Sequence, residues 1–106
     1  MLGPNSQPGA PLPGKIEKIM SIRRVEFEAG LARIDVDAPA TNTAGVYTIP
    51  NRGGVTITFE KLAPAVLGGL MRLPRAKITI DVEALDQAAR QQFVAFFEKT
   101  FQRGGG

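Results

Sequence analysis

Hydrophobic and polar residues alternate with a period of two over much of this chain, and the pattern turns helical near its C-terminal end. Val25 and Phe27 fall on one side of an extended backbone, with Arg24, Glu26 and Glu28 on the other. After Ala29-Gly30, which has the composition of a tight turn, Ala32, Ile34 and Val36 alternate with Arg33, Asp35 and Asp37. Successive side chains of a strand point to opposite faces, so two such runs around a glycine predict a β-hairpin over 24–36. Its polar face would set Arg24 and Arg33 against Glu26, Glu28 and Asp35, in cross-strand pairs worth about 0.2–1 kcal/mol each. Residues 45–49 predict a third strand and 55–59 a fourth. Between them, Pro50-Asn51-Arg52-Gly53-Gly54 combines one fixed φ with two permissive ones, a turn that closes a second hairpin. A further strand is expected over 77–82, with Ile78, Ile80 and Val82 inward and Lys77, Thr79 and Asp81 outward.

Two stretches fit more than one element. Ile16, Ile19, Met20 and Ile22 suit either a helical turn or the lead into a strand. In 61–73, Leu62, Val66, Leu70 and Leu73 follow helical spacing, but Gly68-Gly69 would cost such a helix about 1 kcal/mol per glycine. A short helix and a bent crossover therefore both fit, and Pro74-Arg75 ends either one.

The C-terminal segment predicts an amphipathic helix. Asp86 is placed to cap its start. Leu85, Ala89, Phe93, Phe96 and Thr100 lie along one stripe, with Phe97 and Phe101 beside it. Four of the six phenylalanines fall here, so this helix should plug the sheet, each ring contributing roughly 1.5–3 kcal/mol. Arg103 complements the negative end of the helix dipole and Gly104 suits its stop. The fold class expected is α+β: an antiparallel sheet or partly closed β-barrel of about five strands with one C-terminal amphipathic helix. Residues 1–14, with four prolines and three glycines, read as a flexible arm, 15–103 as a single domain, and 104–106 as a glycine tail.

Composition narrows the function. The chain has 106 residues, 43% hydrophobic and 22% charged, which suits one core without staples. It has no Cys, His or Trp, so thiolate chemistry, disulfides, cysteine- or histidine-held metals and histidine acid–base catalysis are excluded. Phosphate-loop and dinucleotide-binding glycine motifs are absent, and Ser6 and Ser21 have no histidine to activate them. Asp35 and Asp37 share a strand face, and Asp81, Glu83 and Asp86 cluster, but a solvated strand face and helix-start charges account for them. A non-enzymatic protein with no metal and no cofactor is expected. The net charge is +3, and residues 15–24 carry four cations against Glu17 alone, a local patch able to attract phosphates. No run of 18 apolar residues occurs and the N-terminus lacks a signal-peptide pattern, so no membrane partner and a cytoplasmic location are expected.

The order of elements resembles that of the PilZ family, small β-barrels that bind cyclic di-GMP. Ile22-Arg23-Arg24 is similar to that family's arginine-rich entrance motif, and Thr48-Ile49-Pro50-Asn51-Arg52-Gly53 falls where its D/N-x-S-x-x-G turn would be. The resemblance implies a ligand site at Arg23, Arg24, Arg52, Asn51 and Gly53, with guanidinium groups forked onto phosphate oxygens and stacked on guanine. Thr48 and Pro50 replace two of the turn's three motif residues, so an adaptor that binds a protein partner is implied equally. A second reading is a structural subunit of a larger assembly, such as a phage particle or secretion apparatus, or a homo-oligomer; the Pro/Gly arm and missing chemistry support it. A third is single-stranded nucleic-acid binding, with the basic segment on phosphates and Tyr47 as the one stacking platform.

Overall fold

A computed structural model describes residues 11–105, with side chains through Gln102. Four strands and two helices follow in the order β1 (Lys15–Met20), α1 (Arg24–Ile34), β2 (Val46–Ile49), β3 (Val55–Leu67), β4 (Met71–Asp81) and α2 (Gln87–Gly105), with a 3-10 turn at Pro39–Thr41. The strands form one antiparallel sheet in the spatial order β1-β4-β3-β2. The fold is α+β, as the sequence predicts, but the sheet has four strands, is open, and carries a second helix.

That second helix replaces the hairpin expected over 24–36. Phe27, Gly30, Leu31 and Ile34 repeat at three- and four-residue intervals and are buried together on one side of α1. Val25 and Val36, which the alternation turns inward, are 68% and 78% exposed. The expected ladder of charge pairs is therefore absent. Glu26 bonds Arg23, Glu28 accepts from Tyr47, and Asp35 accepts from Asn51. Gly30 is not a turn; it sits mid-helix, where the Phe101 ring of α2 occupies the space a Cβ would need.

The two ambiguous stretches become strand. Residues 15–20 form β1, with Ile16, Lys18 and Met20 paired to Ile80, Ile78 and Ala76. Residues 61–73 are neither helix nor crossover: they are the outer part of the β3–β4 hairpin. Gly68 and Gly69, at φ +59° and +74°, take the two central positions of a turn closed by the Leu70 N–H on the Leu67 carbonyl at 3.1 Å, within a three-residue connection between the strands. A register shift between Leu62 and Ala65 puts one extra residue in β3 near Pro64, which has no N–H to give to the ladder. β1 pairs with β4 only up to Ala76 and β2 with β3 only up to Thr58, so the hairpin beyond them projects as a two-stranded arm.

Both helices pack on one face of the sheet. Phe27 is the hub: its ring lies 5.5 Å from Tyr47, 5.1 Å from Phe59 and 5.5 Å from Phe101. Val55, Ile57, Ala76, Ile78, Ile80 and Val82 complete the layer beneath. Phe97 and Phe101, placed beside the helix stripe by sequence, are buried, whereas Phe96 is only half-buried. The other face of the sheet is polar, with Thr48, Thr56, Thr58 and Thr79 on neighbouring strands. Asp86 caps α2 as expected, its carboxylate accepting from Ala89 N–H at 2.8 Å; the helix runs past Gly104 to Gly105. Leu12 is held to α2 by Gln87 and Arg90. The remainder of the N-terminal arm expectation, residues 1–10, lies outside the described residues.

Candidate anion-binding site

The chain enters α1 through Ile22, which is buried, so the next two residues surface at the first turn of the helix. Arg23 is the N-cap residue. Its backbone N–H donates to Glu26 Oε1 at 3.0 Å and its guanidinium to Glu26 Oε2 at 3.3 Å. The backbone hydrogen bond from Arg23, followed by the guanidinium, holds the Glu26 carboxyl below its ordinary pKa. Arg24 is fixed differently. Its Nη1 donates to the Tyr47 hydroxyl at 3.0 Å, and its guanidinium lies 4.8 Å from the centroid of the Phe59 ring. The Tyr47 hydroxyl in turn donates to Glu28 Oε2 at 2.6 Å. Burial first, then the Glu28 carboxylate, raise the Tyr47 pKa.

Opposite this helix start stands the base of the projecting arm. Between the two is an open cleft of about 980 Å³. Arg23 and Arg24 line it from α1, Lys61 from β3, and Arg72 and Arg75 from β4. Ile22, Phe59, Leu62, Pro64 and Pro74 supply its apolar wall. Lys61, Arg72 and Arg75 make no ion pair among the described residues. Glu26, the one carboxylate in the lining, is already engaged by Arg23. Five cations against one carboxylate leave the cleft with four net positive charges, so the rest of this +3 chain carries one net negative charge. An arrangement of this kind favours an anion. Arginine forks match phosphate geometry, the first N–H groups of α1 add partial positive charge, and the apolar wall strengthens each interaction by excluding water.

The structure divides the residues that sequence grouped as one ligand site. Arg23 and Arg24 lie in the cleft. Asn51, Arg52 and Gly53 lie at the other end of α1, about 16 Å away for an 11-residue helix. There Asn51 donates through its backbone N–H and its Nδ2 to Asp35 Oδ2, both at 3.0 Å. Asp35 Oδ1 accepts from the Asp37 N–H, also at 3.0 Å. The backbone bonds from Asp37 and Asn51 lead the causes that lower the Asp35 pKa, with the Asn51 side chain and the Arg52 charge adding to them. Arg52 stacks on Phe96, its guanidinium 5.0 Å from the ring centroid. Gly53 holds φ +65° in the β2–β3 turn, against Leu85. Asn51, Arg52 and Gly53 therefore have structural work that ties the turn to the ends of both helices.

Lys61, Arg72 and Arg75 escaped the sequence reading because they fall in the ambiguous 61–73 segment and just after it. One signal was available: from Lys61 to Ile80 the chain has four cations and no carboxylate. The basic segment 15–24 does not act as one patch. Lys18 is bound to Glu98 at 2.5 Å, and Lys15 sits across from Asp81. Tyr47, the expected stacking platform, is fully buried and presents no face to a base. No protein-family model matches this chain, and no curated protein is recognisably similar to it in sequence.

Proposed function

We propose that this chain is a non-enzymatic binding domain that takes a phosphate-bearing ligand in the cleft between α1 and the arm. The observation that carries this reading is the convergence of five cations from three separate elements on one cleft whose single carboxylate is already paired. Three of those cations have no internal partner among the described residues, so their charge is free for a ligand. The resemblance to PilZ domains makes cyclic di-GMP a natural probe, with Arg23 and Arg24 contributing and Asn51, Arg52 and Gly53 outside the contact. A cytoplasmic adaptor role, in which ligand occupancy alters contact with a protein partner, belongs to the same reading.

Calorimetric titration with inorganic pyrophosphate and with cyclic di-GMP at low salt tests it. Saturable binding to at least one, weakened tenfold or more in an Arg72→Ala/Arg75→Ala double variant, is the expected result. Absence of heat with both probes would sink the reading.

A second reading, a subunit of a larger assembly, is supported by the sheet itself. Among the described residues β1 leaves one edge unpaired, whereas the outer edge of β2 is covered by Thr41 and Thr43, and the threonine-bearing face has no layer over it. Light scattering across a concentration series distinguishes the two: a high-order oligomer supports assembly, and a monomer removes it.

A further inference from the structure

The tip of the arm is apolar and uncovered. Val66, Leu67, Leu70 and Met71 are each at least half exposed, and Leu70 reaches 93%. They surround the Gly68-Gly69 turn, where nothing among the described residues lies within 4 Å of a Cβ position. Together they form a patch on the order of 400 Å², the size of the largest apolar patch on a typical monomer, which is often functional. Directly behind the patch come Arg72, then Arg75 and Lys61, again with no carboxylate between residues 61 and 80.

We propose that the arm seats on the surface of an anionic lipid bilayer, the apolar tip entering the interface and the cleft cations meeting lipid phosphates. This rests on the anion-binding reading and names the source of the phosphate. The geometry fits the layered chemistry of a membrane surface. Strand rise puts Arg72 about 7 Å behind Leu70 and Arg75 about 17 Å behind it. Lys61, paired to Ala76, lies at nearly the same level as Arg75. With Leu70 roughly 5–10 Å into the headgroup–acyl boundary, Arg72 falls among the headgroups. Arg75 and Lys61 then stand within about a Debye length, ~8 Å, of the charged surface. A narrow two-stranded arm can insert its tip without the domain body entering the lipid. The contact is with one leaflet and departs from the expectation of no membrane partner, which rested on the lack of a spanning segment: no described helix is long and apolar enough to cross a membrane, and crossing is not required. The charge on the arm selects for the anionic cytoplasmic leaflet, each cation near the surface strengthening binding about fivefold.

The absence of tryptophan from the chain provides a direct probe. Leu70→Trp, at an exposed turn position, should shift its fluorescence to the blue on mixing with vesicles of phosphatidylcholine and phosphatidylglycerol. It should not shift with phosphatidylcholine alone. In flotation, the wild-type chain should rise with the anionic vesicles. Leu70→Asp should stay behind while still binding pyrophosphate as the wild type does, and Arg72→Ala/Arg75→Ala should lose both. A wild-type chain that binds pyrophosphate but no vesicle overturns the membrane proposal and leaves the cleft reading standing; failure of both probes removes both. Flotation unaffected by Leu70→Asp also overturns the proposal. So does a tip that proves to be covered by a second copy, seen as a dimer that Leu70→Asp converts to a monomer, or a chain that retards duplex DNA and ignores vesicles.

Discussion

Gly30 of α1 and Phe101 of α2 touch with no room for a methyl group between them: a Cβ on Gly30 would clash with the edge of the ring. This contact sets how closely the two helices approach, and it also lets Phe101 stack on Phe27 at an interplanar angle of 20°. Alanine is the better helix former by about 1 kcal/mol, so Gly30→Ala would stabilise an isolated helix. In the folded domain the clash wins, because Phe101 is held between Phe27 and Phe97 and cannot swing away. Gly30→Ala is expected to cost about 1–3 kcal/mol in urea unfolding. A Phe101→Leu change in the same chain should recover part of the loss, giving a non-additive double-mutant cycle.

Tyr47 joins Arg24 and Glu28 through one hydroxyl. Removing it in Tyr47→Phe leaves both charged partners short of a hydrogen bond and should cost about 1–3 kcal/mol. The raised pKa gives a second signature. A folded-state value above the unfolded value of 10.0 means that stability is complete below that pH and is lost as pH rises through the folded-state value. Tyr47 is the only tyrosine, so phenolate absorbance follows its titration without overlap. Tyr47→Phe should remove this part of the alkaline loss.

Asp35 predicts the opposite dependence. Its carboxyl is held below the ordinary value of 3.8 by bonds from Asp37 and Asn51. The stability it adds is therefore present above that value and lost as pH falls through the lower, folded-state one. Asp35→Asn should lower the urea midpoint at neutral pH and flatten the acid limb of stability. The turn 50–54 should exchange its amide hydrogens faster in this variant, since Asn51 loses its anchor.

Arg90 spends its guanidinium on backbone carbonyls. Nε donates to Val82 at 3.1 Å and Leu85 at 2.9 Å, Nη1 to Leu12 at 2.9 Å and Nη2 to Glu83 at 3.3 Å. One side chain thus ties the N-terminal segment, the end of β4 and the start of α2. Arg90→Ala is expected to cost about 2–3 kcal/mol, and Arg90→Lys nearly as much, because a point charge cannot reproduce the fork. Thermal unfolding of the two variants side by side checks the claim.

Where one face of an element is buried and the other is wet, the pattern was readable. Ile78 and Ile80 point into the core from β4, with Val82 just past its end, Val55, Ile57 and Phe59 do so from β3, and α2 shows its phenylalanines at helical spacing. The turn 50–54 was readable for a different local reason: proline fixes φ, and the paired glycines permit the positive φ that Gly53 and Gly54 adopt. The 24–36 segment was misread because its residues satisfy two periods at once. Val25, Phe27, Ile34 and Val36 fit alternation, while Phe27, Leu31 and Ile34 fit a helix, and only burial by Tyr47, Phe59 and Phe101 selects the second. The two positions that alternation needed and the helix does not, Val25 and Val36, are left in water.

By itself the amino-acid sequence determined the fold class, the β3 and β4 core faces, the capped C-terminal helix and the shortage of reactive side chains, because each depends on residue type and local spacing. Tertiary structure alone decided that Gly30 belongs to a helix and that Gly68-Gly69 turns an arm. It also decided that Arg23 and Arg24 share a cleft with Lys61, Arg72 and Arg75 and not with Arg52. Those outcomes depend on which distant side chains come to lie against one another, and a charge or a glycine carries no local mark of its eventual neighbour.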